Sequence, residues 1–490
     1  MSRYRPPGPR IDILDNPRIT NIAEGERFVA VVGLGRDTRT VFDEAIFRAE
    51  DGSALESDFL SAYTGDSINA QPVQVSSVPG IDPGDVALAK LISEGGVLYN
   101  MDALTMSPEG ELTWDYDAVG VESEDIPSVG AVYYVTYTFD TPEEQYKPIV
   151  YTDSGVIERT YGFEDTDLGI LTIAGKIVLE NGVSGVILNQ VKTADEGVFV
   201  VQEYKNAIDK LRKKDNIEYV VVVFPEGVER IEQEEVIAYA MGHVAQANTQ
   251  DRERGILSGS PSANYGTGGF DDIQDYVSRA TVLRNRDKTY IAPSVVWRRI
   301  GADLTLLDGN FAAVGVAAAR LAQPRFALPI HGRPIQGIRV EEEKWNQSEL
   351  NQLGAGNVAV LVGRNGTVTI RDDITTDPTS ADTQEPSVRQ QDRLLRRTLR
   401  RGLHNTFTSR GVVIDEGTVN DVIATTRAIL QSLVNAGELY SFGEQDNPAT
   451  GELQITAQQD PQEPRLITVT CSVKYLYPLK WIDVTVSLFV

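Results

Sequence analysis

At 490 residues the chain is too long for one compact core, so two to four domains are expected. Hydrophobic residues at 41% and charged residues at 24% exclude a mostly disordered or fibrous protein, and a formal charge of -26 sets the bulk surface against nucleic acid and anionic membrane as direct partners. The single cysteine, Cys471, excludes an intramolecular disulfide framework and a thiolate metal cluster, and fits folding in a reducing compartment.

The chain starts with Arg3, Arg5, Pro6, Pro7, Pro9 and Arg10 and continues through Ile11 and Ile13. Proline fixes φ and removes donors, so residues 1–22 are expected to form an extended basic arm. The opening has no apolar signal-peptide core, and no run approaches the ~18 apolar residues of a membrane span, so export by the general secretory route is not expected. Phe28 to Gly33 (FVAVVG) reads as a buried strand. Residues 36–147 are rich in Asp, Glu, Gly, Pro and Ser, with AVYYVTYTF (131–139) as their strongest strand, and read as a β-rich inserted domain.

From Pro148 the pattern alternates between apolar runs and helix-like spacing. Tyr204, Ala207, Ile208 and Leu211 fall at i, i+3, i+4 and i+7, on one face of a helix. Tyr219 to Phe224 (YVVVVF) is wholly apolar, as expected of a strand covered on both faces. Helices at 231–247 and 271–283, and strands at 255–258 and 290–297, continue the alternation, which implies a layered, mostly parallel α/β sheet. An Ala-rich helix (311–321), a strand (357–362), a polar loop (375–385) and two helices follow. Two one-sided strands close the chain. In the first, Ile467, Val469, Cys471, Val473 and Tyr475 alternate with polar residues; in the second, Ile482, Val484, Val486, Leu488 and Val490 do. The second runs to the last residue, so it either pairs within the chain or adds to the sheet of a neighbour.

The fold class is therefore α/β, α+β overall. The body comprises 23–35 and 148–325, the insertion 36–147, a C-terminal domain 326–465, and closing strands or a linking arm 466–490.

Candidate chemistry is sparse. Gly33-Leu34-Gly35 mimics a dinucleotide fingerprint, but its third glycine would fall at Thr38, and a tight turn is the better reading. Gly65-Asp66-Ser67 and Ser258 resemble nucleophile settings, yet a serine needs a positioned base and only His243, His331 and His404 exist. Three histidines and one cysteine give no zinc spacing, and Val119 and Ile126 stand where a calcium loop starting at Asp115 needs oxygen ligands. No P-loop is present. The expectation is a non-enzyme without cofactor or metal.

One charge feature departs from background. Arg389, Arg393, Arg396, Arg397, Arg400 and Arg401 lie on one helix, with Leu394, Leu395, Leu399 and Leu403 spaced along the opposite stripe. In so acidic a chain they read either as a solvated face or as a surface for an acidic partner.

The order of several stretches resembles the tail sheath proteins of contractile-tailed bacteriophages and related injection systems. FVAVVGLG, PIVYTDSGVIERTYG and GKIVLENGVSGVILNQV are similar to early segments of that family. AIDKLRKKDNIEYVVVVFPEG followed by DRERGILSGSP resembles its helix–strand–helix and Asp-Arg … Ile-Leu-Asp segment, with Ser258 where Asp is usual. IAPSVVW, DGNFAAVGVAAARLAQPRFALPIHGRPIQGI and GNVAVLVGRNGTVTIRDDITTD are similar to later segments, with altered loop residues. The likeness covers roughly 20–35 and 148–490; the insertion 36–147 has no counterpart.

The resemblance implies a structural subunit of stacked hexameric rings around a tail tube, contracting to drive the tube through the host envelope. Implied partners are further copies of the chain, the tube protein, and baseplate and terminator proteins. The implied location is the phage tail, assembled in the host bacterial cytoplasm. It also implies neighbours linked through both termini, here Arg3, Arg5, Pro6, Ile11 and Ile13 at one end and Ile482, Val484, Val486, Leu488 and Val490 at the other, with the arginine helix facing the tube. Rival readings are another virion structural protein (baseplate or capsid) and an α/β hydrolase or transferase.

Overall fold

The computed structural model describes residues 27–35, 146–164, 169–192, 198–225, 227–261, 272–293, 295–408, 414–442, 455–463, 465–471 and 473–477, together with the backbone of five strands between 38 and 140. These five are β2 (Thr38–Phe47), β3 (Ala87–Ser93), β4 (Leu104–Met106), β5 (Leu112–Trp114) and β6 (Val132–Asp140). They follow β1 (Phe28–Leu34). The body then runs β7 (Ile149–Tyr151), α1 (Ser154–Tyr161), α2 (Ile170–Glu180), β8 (Val186–Val191), α3 (Val201–Lys210), β9 (Ile217–Val222), α4 (Arg230–Thr249), β10 (Gly255–Gly259), α5 (Ile273–Val282), β11 (Lys288–Ala292), β12 (Val295–Ile300), β13 (Asp303–Asp308), α6 (Asn310–Leu321), β14 (Pro334–Ile335), α7 (Gln347–Ala355), β15 (Ala359–Arg364) and β16 (Thr367–Asp372). The C-terminal part holds α8 (Ala381–Gln384), α9 (Pro386–Leu403), a π-helical turn (His404–Thr408), α10 (Glu416–Asn435), β17 (Ser441–Phe442), β18 (Ile455–Gln459), β19 (Ile467–Cys471) and β20 (Val473–Lys474).

Nine strands form one sheet in the order β14-β16-β15-β11-β10-β9-β1-β8-β7. The six from β15 to β8 are mutually parallel; β16 and β7 run antiparallel to them at the two margins, and β14, paired antiparallel with β16, runs in the core direction. Every residue of β1, β8, β9, β10 and β11 is buried, which is why these segments are so apolar. From β8 the strands β9, β10 and β11 progress toward the β14 margin, whereas β8 lies back on the other side of β1. Right-handed crossovers therefore place α2 on one face and α3 and α4 on the other, and α6 packs beside α2. The five strands of the 38–140 region pair among themselves, as the sheet β2-β6-β3 and the hairpin β4-β5.

Three expectations need correction. The strand expected at 290–297 is two strands in different sheets: Pro293, which lacks an N–H, separates β11 from β12, and β12 turns away to pair with β13. The boundary expected at 325 does not coincide with a break in the body, because β14, β15 and β16 extend its sheet to Asp372. The single strand expected at 467–475 is also two: β19 pairs with β18 and β20 with β17. Both stay within the chain, beside a second core of Val388, Leu395, Leu399, Ile429, Leu430 and Leu433 between α9 and α10.

Candidate functional site

The arginine helix is α9. Pro386 at its first turn and its Leu, Arg and Gln content favour the helix, and residues four apart share a face. The structure turns that face inward. Arg393 donates from Nε to Glu218 Oε1 (2.9 Å), Arg397 from Nη2 to Glu218 Oε2 (2.8 Å), and Arg389 from Nη2 to Asp287 Oδ1 (3.3 Å). Arg400 Nη2 reaches Glu253 Oε1 (2.5 Å) and Asp251 Oδ1 (2.9 Å), and Arg396 Nε pairs with Asp392 Oδ1 (3.2 Å). Asp251, Glu253 and Asp287 lie just before β10 and β11, and Glu218 is the second residue of β9. α9 thus lies across the amino ends of three central strands. This corrects the reading of the helix as an open partner surface: Arg389, Arg393, Arg396, Arg397 and Arg400 are engaged within the chain. Arg401 alone of the six is exposed.

Burial by itself raises the Glu218 carboxyl, but Arg397 and Arg393 outweigh it and hold the group below the usual carboxylate range. Asp287 is held low in the same way against its own burial, by Arg389 and Arg393. Between the helix and the sheet, the Tyr219 ring has the Arg393 guanidinium 5.2 Å and the Arg320 guanidinium 5.7 Å from its centroid. Arg320 is itself ion-paired with Asp373.

In open α/β sheets ligands usually bind beyond the carboxyl ends of the strands. Among the described residues that end is filled at β10 and β1. A Cβ on Gly259, the last residue of β10, would lie 1.8 Å from the Gly309 carbonyl oxygen. Asn310 Oδ1 accepts from the Gly259 amide (3.0 Å), and its Nδ2 donates to Gln233 Oε1 (3.1 Å) and Asp308 Oδ1 (2.6 Å). At Gly33 an added Cβ would meet Val223, Ile170 and Leu171, and at Gly35 the Tyr161 ring and Gln190, so these glycines admit side chains rather than a phosphate. His243 is buried in α4 beside Arg254 (3.2 Å), and burial, then Arg254, pulls its pKa down to about 4. His331 and His404 are exposed, and Ser258 is buried in β10. Among the described residues no group of three His, Cys, Asp or Glu could hold a metal, and no helix is long and apolar enough to cross a membrane. Gly65, Asp66 and Ser67 lie outside the described residues.

So do all ten arm residues: Arg3, Arg5, Pro6, Ile11 and Ile13, and Ile482, Val484, Val486, Leu488 and Val490. The neighbouring strands are informative. Among the described residues β18 and β19 pair only with each other, leaving both outer edges of this short sheet open. Tyr477, half-exposed, lines a cavity of about 370 Å³ with Arg371, Ile374 and Gln384.

The fold, a six-stranded parallel core with α9 across the amino ends of its central strands, has counterparts among solved structures. The chain matches the anti-feeding prophage helical sheath in its contracted state with a TM-score of 0.52 at 12% identity, over 70% of this chain and 89% of that one. It matches the sheath complex of the extracellular contractile injection system PVC, also contracted, with a TM-score of 0.51 at 10% identity, over 71% and 89%. In sequence it resembles the tail sheath protein of Mycobacterium phage Bxz1, 26% identical over 371 residues, which are 73% of this chain and 59% of that protein. The chain therefore spans about three fifths of the length of this relative. No protein-family profile matches the sequence.

Proposed function

We propose that the chain is a structural subunit of a contractile phage-type tail sheath. The observation that carries this reading is the coincidence of the sheath fold with sequence likeness to a phage tail sheath protein over most of the chain. Among the described residues, the filled carboxyl ends of β10 and β1 support a structural role over a catalytic one. In this reading the subunits form stacked hexameric rings around a tail tube, engage baseplate and terminator proteins, assemble in the bacterial cytoplasm, and contract without nucleotide by passing between two packings of one rigid body.

Neighbours are linked by terminal strands. The open edges of β18–β19 offer acceptors, and the one-sided run Ile482, Val484, Val486, Leu488 and Val490 offers the donor, with the N-terminal arm from Arg3 to Ile13 as second strap. Contact with the tube falls to Arg401, since its five companions are engaged internally.

Sedimentation of the full chain beside a variant lacking Ser487 to Val490 tests the linkage. The full chain is expected to form large polymers, while the variant keeps the circular dichroism of the full chain but stays small. Polymers of normal length from the variant would overturn strand donation.

A further inference from the structure

We propose that a basic groove beside Arg299 and Arg339 receives the acidic 36–147 region of a second copy of this chain. The groove, about 430 Å³, is bordered by Glu180 at the end of α2, Arg298 and Arg299 of β12, Gly337 and Arg339 after β14, and Thr367 of β16.

Its floor is electrostatically closed. Arg298 is buried and saturated: Nε and Nη2 bond Glu164 (2.9 and 2.9 Å), Nη1 and Nη2 bond Glu180 (3.0 and 2.8 Å), and Nη1 also reaches the Gly337 carbonyl (2.8 Å). Gly337 sits at φ 81°, and a Cβ there would come within 2.3 Å of Glu180 Oε2. The floor is thus rigid and brings no free cation.

The rim does. Trp297 and Arg339 exchange backbone hydrogen bonds of 2.8 and 2.7 Å across an antiparallel bridge, so Arg299, two residues along β12, lies on the same face as Arg339. Such diagonal neighbours stand roughly 7–8 Å apart. Both are exposed, and neither has a carboxylate partner among the described residues. Two unneutralised guanidiniums on one rigid rim suit a segment carrying several carboxylates.

The chain carries such a segment. Between residues 36 and 147 stand 22 Asp and Glu against five Lys and Arg, most of the whole chain's -26. Geometry favours a second copy as its source. The acidic region leaves the body after β1, at whose end Gly33 meets Ile170 and Leu171, the start of α2; the groove lies at the other end of α2, beside Glu180. Donor and acceptor at opposite ends of one body make a head-to-tail contact, the kind that propagates. The inference rests on the sheath reading, because it presupposes polymers of the chain.

The test uses the full chain. Arg299→Glu with Arg339→Glu is expected to lower polymer yield at least tenfold at low salt, and Arg299→Lys with Arg339→Lys to retain it. The lysine variant also permits zero-length carbodiimide coupling. Peptide mapping is expected to join position 299 or 339 to carboxylates of 36–147 in a different chain, distinguished by mixing isotopically labelled and unlabelled protein. Links confined to one chain, links to other regions, or undiminished assembly of the glutamate variant would overturn this inference and leave the sheath reading standing. Absence of polymers from the wild-type chain overturns both.

Discussion

Replacing Glu218 with alanine removes the carboxylate that bonds two buried guanidiniums at 2.9 and 2.8 Å. Arg393 keeps Asp287 at 3.4 Å, and Arg397 keeps the Glu253 carbonyl at 3.1 Å, so neither becomes isolated, but one buried negative charge is lost between two buried positive ones. Breaking a buried ion pair from one side costs ~3–5 kcal/mol, whereas replacing the whole set by apolar residues of similar volume is often neutral. The loss falls on the seam that holds α9 to the amino ends of β9, β10 and β11. Because a chain of this size need not unfold in one step, the assay is native-state hydrogen exchange of the α9 amides. At ~1.4 kcal/mol per factor of ten, exchange is expected to accelerate roughly 100- to 4,000-fold. The combination Glu218→Leu, Arg393→Met and Arg397→Leu is expected to restore most of the protection. The pH dependence has a defined sign. The folded-state carboxyl lies below its ordinary 4.5, so the stabilisation is complete above that value and is lost as pH falls through the lower folded pKa. Protection of α9 within threefold of wild type in Glu218→Ala would refute the assignment of the seam to these charges.

Further expectations concern other parts of the body. Lys288 is fully buried with its Nζ 3.6 Å from Met241 Sδ, and burial lowers its pKa to about 7. Since the unfolded chain binds that proton up to about 10.5, stability should rise with pH between those values; Lys288→Met should flatten the rise and raise the melting temperature at pH 7, by up to about 5 kcal/mol of stability. Gly259→Ala forces a methyl group onto the Gly309 carbonyl and should cost at least about 3 kcal/mol, read as loss of soluble folded protein. Arg401→Ala should leave stability within about 0.5 kcal/mol, in contrast to Arg393→Ala, and melting curves of the two variants separate them.

The sequence announced the parallel core well, because strands buried on both faces must be continuously apolar: FVAVVG makes up β1 but for Leu34, and YVVVVF supplies the last four residues of β9. The arginine seam was half legible. Arginines at 389, 393 and 397 are spaced to share one face, but the partners that turn that face inward are distant in sequence. The available signal was Glu218, a carboxylate inside an otherwise apolar strand, which demands a buried cation. Starting that strand at Tyr219 leaves the clue outside it. The division of the 290–297 run at Pro293 was likewise written in the sequence, since proline cannot donate to a central ladder. By contrast, the continuation of the body sheet through β14, β15 and β16 depends on pairing between segments more than sixty residues apart, from Ile291 to Ala359, which local pattern does not encode.

The central claim is that this chain polymerises as a sheath, and electron microscopy of the purified full chain tests it most directly. Stacked rings or helical tubes with six subunits per ring are the predicted result; dispersed monomers persisting at high concentration, in low salt and with tube protein present, would contradict it.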